Sequence, residues 1–346
     1  MKRVFVGLSG GVDSAVSAAL LQERGFNVSG VFIKIWSPEF LECTWREDRL
    51  DAMRVAVALN IPFFEIDLSD EYRRSVVDRM TRDYQIGITP NPDVLCNEKI
   101  KFGSFATWAY KEGADYVATG HYARVDEVNH EHKLLRGLDS SKDHSYFLHR
   151  LDKKDLSRVL FPAGDYTKME IRKLARKFSL PVANKPDSQG LCFVGHVSMH
   201  EFLSRFIELR KGNVVDPFGT VIGEHYGAAL YTLGQRHGFE LKGTRHQIPH
   251  FVTKVDTKQN QITVSSRRED AFTSHFSIRD VHWLEEPKFP LSCSIQCRYR
   301  EDPVMATVIP DENSLLITPV SAHLASPGQS CVFYRGEQVL GGGVIE

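Results

Sequence analysis

Several classes of protein are excluded by what the sequence lacks. Its six cysteines contain no Cys-x-x-Cys pair, so neither a four-cysteine zinc site nor a dithiol oxidoreductase motif is present. No Gly-Lys-Ser or Gly-Lys-Thr occurs, which excludes a Walker-type phosphate loop. No apolar run reaches the length of a membrane span. With 43 Lys and Arg against 44 Asp and Glu, the net charge by itself identifies no charged partner.

The length of the chain bounds its organisation. At 346 residues it is long enough for two or three domains. The first apolar run begins only three residues after Met1, which leaves no room for a signal or transit peptide and predicts a cytoplasmic protein. A monomer is the expected state.

The first half of the chain alternates strand-like and helix-like segments. Strand-like runs occur at residues 4–8, 28–35, 63–66 and 116–119, and amphipathic segments at residues 13–24, 46–59, 69–84 and 99–112. In the second of these helical segments, Leu50, Met53 and Val57 recur at helical spacing, which predicts one buried stripe. Strands separated by helices predict a parallel sheet covered on both faces, that is, a Rossmann-like α/β domain.

The sequence pattern changes after residue 200. Turn signals become frequent, and short strands follow near residues 293–299, 304–309, 314–318 and 330–334. Short strands with Pro and Gly between them predict a small β-barrel or sandwich. We therefore expect an α/β domain at residues 1–195, a small central domain at residues 200–268 and a C-terminal β-barrel at residues 270–346.

A glycine-rich segment joins the first strand to the first helix. Residues 9–14 are Ser-Gly-Gly-Val-Asp-Ser. Amide groups at a helix N-terminus attract anions, and adjacent glycines let the backbone approach a phosphate closely. Asp13 is suited either to capping the helix or to holding a magnesium ion. The segment resembles the PP-loop of the ATP pyrophosphatase class, whose members activate an oxygen as its adenylate and release pyrophosphate.

Two cysteines lie in similar settings. Cys96 belongs to Asn-Pro-Asp-Val-Leu-Cys-Asn at residues 91–97, and Cys192 to Asp-Ser-Gln-Gly-Leu-Cys-Phe at residues 187–193. A lone cysteine in such a setting is more often a small buried residue than a nucleophile, but two in one nucleotide domain favour chemistry. Together with residues 9–14, they resemble the bacterial tRNA-specific 2-thiouridylases. Other segments fit that family in order along the chain: residues 118–122, 135–139, 142–148, 231–236, 298–300, 327–330 and 340–343.

The resemblance implies an enzyme that replaces oxygen by sulfur at C2 of the wobble uridine of tRNA. ATP and Mg²⁺ are the implied cofactors, and transfer of AMP to the C2 oxygen would turn it into a leaving group. The implied catalytic residues are Cys192 as persulfide carrier, Cys96 as its partner, and Asp93 as the proton-handling group. Cys96 would either attack C2 itself or close a disulfide with Cys192 that frees the sulfur, and the sequence leaves both routes open.

The resemblance also implies partners and two sets of binding residues. The partners are tRNAs, those for Lys, Glu and Gln, and a persulfide sulfur-donor protein. The nucleotide set is Gly7, Leu8, Ser9, Gly10, Gly11, Val12, Asp13, Ser14, Ile33 and Gly120. The tRNA set is Asn91, Pro92, Asp93, His121, Lys142, Asp143, His144, Arg298, Tyr299 and Gln329. Two residues depart from the family pattern, since His144 stands where relatives usually carry Gln and Ile33 where many carry Met. No metal site built from protein side chains alone is expected.

One segment of the chain is strongly basic. Residues 142–185 hold eleven Lys or Arg against five Asp or Glu. Five of these cations repeat at helical spacing: Lys168, Arg172, Lys173, Arg176 and Lys177. Such a run is usually a solvated helix face, but with the resemblance we interpret it as a surface that follows the RNA backbone.

Four cysteines are assigned to structure: Cys43, Cys293, Cys297 and Cys331. A Cys293–Cys297 disulfide is not expected, because residues four apart on one strand are too distant.

Two other functions fit the sequence less well than thiolation. An amidating PP-loop synthetase needs an ammonia source, often a glutaminase domain, and nothing in the sequence resembles one. A non-catalytic tRNA-binding or sulfur-relay protein has no use for an intact ATP loop at residues 9–14. Exchange between ATP and pyrophosphate that is stimulated by tRNA would separate these possibilities.

Overall fold

A computed structural model describes residues 1–38, 40, 45–187, 199–243 and 248–346. The first part of the chain contains seven strands: β1 (Arg3–Gly7), β2 (Asn27–Lys34), β3 (Phe63–Asp67), β4 (Tyr116–Ala118), β5 (Ala123–Val128), β6 (Glu131–Arg136) and β7 (Val159–Leu160). Five of them form a parallel sheet in the order β3-β2-β1-β4-β7. The hairpin β5–β6 lies outside this sheet.

Helices cover both faces of the parallel sheet. They are α1 (Val12–Glu23), α2 (Trp45–Leu59), α3 (Ser69–Tyr72), α4 (Asp78–Gln85), α5 (Pro92–Leu95), α6 (Ala106–Lys111) and α7 (Lys168–Lys177). The π-helical segments Arg73–Val77 and Cys96–Phe105 join α3 to α4 and α5 to α6. Side chains of α1, α2 and α7 share one buried cluster with the sheet, and the π-helical segment before α6 packs with Phe5 in a second cluster. The Rossmann-like α/β prediction is confirmed.

The predicted buried stripe of α2 is wrong. Leu50 and Val57 are 46% and 81% exposed, and the helix instead buries a face built around Ala52, Val55 and Ala56. Small side chains let the helix approach the sheet closely, so the face that packs best is not the one with the largest apolar residues. Counting only large residues therefore chose the wrong face.

The second part of the chain is built of strands. After α8 (Met199–Leu203) come β8 (Gly212–Val215), β9 (Val221–His225), β10 (Phe239–Leu241), β11 (Phe251–Asp256) and β12 (Gln261–Ser265), which form a sheet in the order β10-β9-β8-β12-β11. The C-terminal strands are β13 (Phe276–Trp283), β14 (Leu291–Gln296), β15 (Val304–Asp311), β16 (Ser314–Pro319), β17 (Ser330–Arg335) and β18 (Gln338–Ile345). Pairing of β13 with β18 closes these six into a barrel, as the sequence predicted.

Two features of the barrel matter for the site. Gln338 of β18 pairs with Leu135 of β6, so the β5–β6 hairpin of the N-terminal part extends the barrel sheet. Strand β14 ends at Gln296, which places Arg298 and Tyr299 in the turn that follows rather than in a strand reaching residue 299. None of the helices within the described ranges has the length and apolar character needed to cross a membrane.

Candidate active site

The glycine-rich loop at residues 9–14 is shaped by its own hydroxyl groups. The Ser9 amide donates to the Ser14 hydroxyl at 3.2 Å, and that hydroxyl donates to the Gly11 carbonyl at 3.1 Å. The Gly11 amide donates to Ser9 Oγ at 3.3 Å. Gly10 has a φ of +74°, and a Cβ there would overlap the backbone carbonyl of Asp48, so only glycine fits.

The residues predicted to hold the nucleotide converge on this loop. Gly7 and Leu8 are at the end of β1, Ile33 is near the end of β2, and Gly120 follows β4. A Cβ on Gly120 would lie 2.6 Å from the Ser14 amide nitrogen, and one on Gly7 would lie 3.7 Å from Ile33 Cδ1. The whole set therefore lies at the carboxyl ends of three adjacent parallel strands, where such sheets bind ligands.

Asp13 does not cap the helix. The N-cap of α1 is Gly11, and Asp13 lies in the first turn. Its carboxylate accepts a hydrogen bond from the Tyr122 hydroxyl at 2.8 Å and two from Lys168 Nζ at 2.7 and 2.9 Å. Burial and the neighbouring Asp13 carboxylate raise the pKa of Tyr122 far above its ordinary value, so the phenol remains a donor.

Lys168 connects the loop to a second carboxylate, Asp187. Lys168 Nζ lies 2.8 Å from Asp187 Oδ1, and Asp187 also receives Lys142 at 2.9 Å and Arg172 at 2.7 Å. Against the opposing effect of burial, hydrogen bonds from Lys168 and Lys142 hold the pKa of Asp187 well below its ordinary value. Three cations therefore surround the Asp187 carboxylate, and Lys168 links it to Asp13. We call this cluster the Asp13–Lys168–Asp187 network.

The network changes the interpretation of the basic segment. Lys168 and Arg172 point into the network rather than onto an outer surface, and Lys177 pairs with Glu23 at 3.0 Å. Lys173 and Arg176 remain exposed on α7. Helical spacing alone could not distinguish these two groups, because the inward partners come from distant parts of the chain.

A cleft of about 360 Å³ opens between the N-terminal part and the barrel. It is lined by Tyr84, Pro90, Asn91, Pro92, Asp93, Tyr146, Phe147, Met199, Arg298, Tyr299 and Gln329. Six of these belong to the predicted tRNA set. The sequence missed the aromatic wall, although Tyr146 and Phe147 lie within the family segment 142–148. The Phe147 and Tyr299 rings are 4.5 Å apart between centroids, an arrangement suited to contact with an unstacked base.

Gln329 ties the barrel to the cleft. Its Nε2 donates to the carbonyls of Thr89 and Pro90 at 2.9 and 3.1 Å. Thr89 also shares a hydrogen bond of 2.7 Å with Thr232 of the central part. The rim that carries Asn91 is therefore held by groups from all three parts of the chain.

We expect the Gln329→Ala substitution to loosen this rim. Losing two hydrogen bonds that each contribute about 1 kcal/mol, about 2 kcal/mol together, should increase amide exchange of residues 89–95 by roughly thirtyfold. Hydrogen–deuterium exchange with mass spectrometry measures this. Gln338→Ala is the matched control, since it removes a glutamine of the same barrel that bonds to Glu285 at 2.8 Å instead. Unchanged exchange in residues 89–95 of the Gln329 variant would contradict the assignment.

Asp93 lines the cleft, and Cys96 lies one helical turn after it. The Asn91 side chain accepts a hydrogen bond from the Val94 amide at 3.4 Å and starts helix α5 at Pro92. Burial raises the pKa of Asp93, and Lys101 partly opposes that rise. Cys96 is 5% exposed and begins the π-helical segment. Because residues three apart share a helix face, the carboxyl and the thiol are on the same side.

His121 is a neutral ring held by two neighbours. Its Nδ1 lies 2.7 Å from Thr119 Oγ1 and its Nε2 lies 3.4 Å from Lys101 Nζ. An ammonium group can only donate, so Nε2 accepts and Nδ1 carries the proton. Burial and then Lys101 and His144 lower the pKa of His121 well below its ordinary value. Lys101 is thus a residue of the site that sequence reasoning missed.

His144 and Asp143 have different surroundings. His144 Nδ1 accepts from the Tyr122 amide at 3.2 Å, and burial together with Lys101 and Lys142 lowers its pKa to about 3. Asp143 is buried, and its carboxylate accepts from the Arg136 guanidinium, the Gly137 amide, and the amide and hydroxyl of Ser145. We propose that Asp143 positions its neighbours and does not contact RNA directly.

Replacing Asp143 with Asn should therefore cost stability. Removing one partner of a buried, hydrogen-bonded ion pair costs about 3 kcal/mol of unfolding free energy. Urea denaturation followed by tryptophan fluorescence would measure it. Asp152→Asn is the control, because Asp152 pairs with Lys154 at 2.8 Å on the surface, where such pairs contribute about 0–1 kcal/mol. Equal stability of the two variants would show that the Asp143 contacts are not stabilising.

Two further predictions concern Cys192 and the binding of a metal ion. Cys192 lies outside the described residues, although the network at Asp187 precedes it by five positions in the sequence. Within the described part of the chain, no group of three or more His, Cys, Asp or Glu side chains is arranged to hold a metal ion. The Asp13 carboxylate stands beside the glycine-rich loop.

Comparison with known proteins covers the whole chain. Residues 2–196 match the tRNA methyl transferase HUP domain, residues 200–266 the tRNA methyl transferase PRC-barrel domain, and residues 273–345 the Aminomethyltransferase beta-barrel domain. The tRNA-specific 2-thiouridylase MnmA 2 of Geobacillus kaustophilus is 41% identical over 352 residues, which cover 99% of this chain and 94% of the relative. The tRNA-specific 2-thiouridylase MnmA of Salmonella arizonae is 40% identical over 356 residues, covering 100% and 97%.

The family descriptions and the relatives use different words for the activity. Two descriptions carry the word methyl transferase, whereas both full-length relatives are thiouridylases. Identity of about 40% that extends through all three parts of the chain is the more specific indication. The chain belongs to the family of tRNA-specific 2-thiouridylases.

Proposed function

We propose that this protein uses ATP to replace the C2 oxygen of the wobble uridine of tRNA by sulfur. The observation that carries the proposal is a short series of contacts that joins the glycine-rich loop to the cleft. Gly120 packs on the glycine-rich loop, and the next residue, His121, contacts Lys101. Lys101 lies on the helical segment that begins at Cys96 and directly follows α5, whose Asp93 lines the cleft. A nucleotide and a base bound at these two places would be neighbours.

The nucleotide step is assigned to residues 9–14, Asp13 and Lys168. Loop amides at the N-terminus of α1 would hold phosphate oxygens, and Lys168 would move from Asp13 onto the charge that develops on pyrophosphate. One carboxylate beside bound phosphates is the donor set that Mg²⁺ commonly uses, so Asp13 fits such an ion. When bound there, Mg²⁺ would neutralise phosphate charge and orient the leaving group.

The base would be held in the cleft by Asn91, Pro92 and Asp93 on one side and by Arg298 and Tyr299 on the other. A wobble base must leave its stack to reach a buried group, and aromatic walls such as Phe147 and Tyr299 compensate for the lost stacking. Burial raises the pKa of Asp93, which favours the proton-handling role proposed for this carboxyl.

Sulfur transfer is assigned to the two cysteines. A persulfide on Cys192 would supply the terminal sulfur, and Cys96 would either attack C2 or release that sulfur by closing a disulfide. In either route the C2–O bond breaks, and AMP leaves carrying the former C2 oxygen. His121 and Lys142 would contact the RNA near the cleft. We further propose a monomer in the cytoplasm, with tRNAs for Lys, Glu and Gln as substrates and a persulfide-carrying protein as donor.

The test is formation of 2-thiouridine by purified protein. The protein, ATP, Mg²⁺, a low-molecular-weight persulfide and unmodified tRNA are incubated, and the digested RNA is analysed by mass spectrometry. We expect 2-thiouridine at the wobble position only when ATP is present. Thiolation without ATP would overturn the proposed activation. Rapid exchange of pyrophosphate into ATP without any RNA requirement would favour a small-molecule ligase.

A further inference from the structure

Two cysteines of the barrel face each other, and thiouridylation does not use them. Pairing between β14 and β17 places Ser294 opposite Tyr334, Ile295 opposite Phe333 and Gln296 opposite Val332. The same register puts the next residue, Cys297, directly opposite Cys331. Both are free thiols, with exposures of 2% and 0%.

A histidine and a carboxylate complete this cluster. His323 contacts Cys297, and its Nε2 lies 3.2 Å from Glu301 Oε2. Backbone hydrogen bonds of 2.9 Å in each direction with Thr273 fix the position of His323. The His323 and Glu301 side chains are 10% and 19% exposed, whereas their facing Nε2 and Oε2 atoms are buried, so solvent reaches only the outer edges of these two side chains.

The surroundings shift the pKa values of the two thiols in opposite directions. Contacts with Cys331 and, against burial, with His323 lower the pKa of Cys297, whereas burial raises that of Cys331. Contacts with Cys297 and Glu301 raise the pKa of His323 to about 10. A thiol with a lowered pKa beside a basic imidazole, with a second thiol opposite, is an arrangement suited to a dithiol redox site.

We propose that Cys297 and Cys331 form a reversible disulfide when the protein meets a small hydroperoxide. The Cys297 thiolate attacks one peroxide oxygen, the O–O bond breaks, and the departing alkoxide or hydroxide takes the proton of His323. Cys331 sulfur then attacks the resulting sulfenic acid, the S–O bond breaks, and water leaves with the Cys331 proton. Two thiols are oxidised and one hydroperoxide is reduced to an alcohol or water, and a small dithiol restores the thiols.

The disulfide would act on the cleft, an effect that rests on the proposed function. Facing residues have Cβ atoms about 4.5–5.5 Å apart, whereas a disulfide needs about 3.5–4.5 Å, so the strand ends must draw together. Cys297 directly precedes Arg298, which lines the cleft. Tyr146 also lines the cleft, and its hydroxyl contacts the carbonyls of Cys297 and of Ser330, the residue before Cys331. Oxidation should therefore weaken tRNA binding.

The experiment uses the full chain with Cys96→Ser and Cys192→Ser, so that the catalytic thiols cannot react. The protein is treated with hydrogen peroxide, remaining thiols are alkylated, and peptides are analysed by mass spectrometry before and after dithiothreitol. We expect one linked pair, Cys297 with Cys331, that disappears on reduction. With Cys331→Ser, Cys297 should accumulate a sulfenic acid that dimedone traps, and His323→Gln should slow oxidation by about tenfold or more.

Cys293→Ser is the matched control. Cys293 lies on the same strand, but burial raises its pKa to about 12, so its removal should leave the linked pair unchanged. Alkylation of Cys297 and Cys331 to the same extent with and without peroxide, in folded protein, would overturn the proposal. Binding of labelled tRNA separates the two proposals. No binding by the reduced protein counts against the proposed function, whereas equal binding by reduced and oxidised protein counts against the effect on the cleft.

Discussion

Replacing Cys96 with Ser should abolish formation of 2-thiouridine while ATP still adenylates the tRNA and releases pyrophosphate. Both routes of sulfur transfer require the Cys96 thiol, whereas the nucleotide loop lies on α1 and is not altered. A missing nucleophile typically costs about 10³-fold or more in rate. Single-turnover reactions with tRNA would measure 2-thiouridine by mass spectrometry and pyrophosphate by chromatography in the same samples.

Cys293→Ser is the control for this variant, because it removes another buried thiol that lies in the barrel. It should retain thiolation within about twofold, as expected for a substitution that removes no reacting group. If the Cys96 variant thiolates tRNA at the control rate, Cys96 is a packing residue and the proposed sulfur transfer must be abandoned. Loss of pyrophosphate release in the same variant would instead indicate a disturbed fold.

Replacing Lys168 with Met should lower AMP formation by about 10²–10³-fold, the usual effect of removing a charged group that stabilises a transition state. Lys168 is the cation bound directly to Asp13 in the loop, and it also reaches Asp187. Its loss should reduce adenylation and thiolation in parallel, since one precedes the other. Rapid-quench measurement of pyrophosphate release would follow the affected step.

Lys173→Met provides the comparison on the same helix. Lys173 is exposed on α7, and we expect its loss to weaken tRNA binding only modestly, with a change of about tenfold or less at low salt. AMP formation at saturating tRNA should be unchanged. Equal defects in the two lysine variants would mean that α7 acts through RNA binding alone, and that the Asp13–Lys168–Asp187 network has no part in the nucleotide step.

Local sequence signals were sufficient for the parts of the site that one segment builds. Residues 9–14 needed only a strand, two glycines and a helix to be identified, and the structure forms the loop from its own hydroxyls. The parallel sheet followed in the same way from alternating strands and helices. The buried face of α2 was missed because close packing against the sheet favours alanine, which apolar counting neglects.

Contacts between distant segments were beyond the sequence. The pairing of Lys168 with Asp13 joins residues 155 positions apart, and helical spacing placed Lys168 on an outer surface instead. Lys101 and the aromatic wall at Phe147 were missed for the same reason, since their role depends on which segments meet at the cleft. Cys297 and Cys331 gave no local signal, because only the register of β14 and β17 brings them opposite each other.

The central claim is that ATP activates the C2 oxygen of the wobble uridine as its adenylate. The most direct measurement uses tRNA carrying ¹⁸O at that oxygen and analyses the AMP formed during thiolation by mass spectrometry. The account predicts AMP that contains the label, because the labelled oxygen leaves on the phosphate. Unlabelled AMP formed together with 2-thiouridine would contradict the account, since the oxygen would then leave without being adenylated.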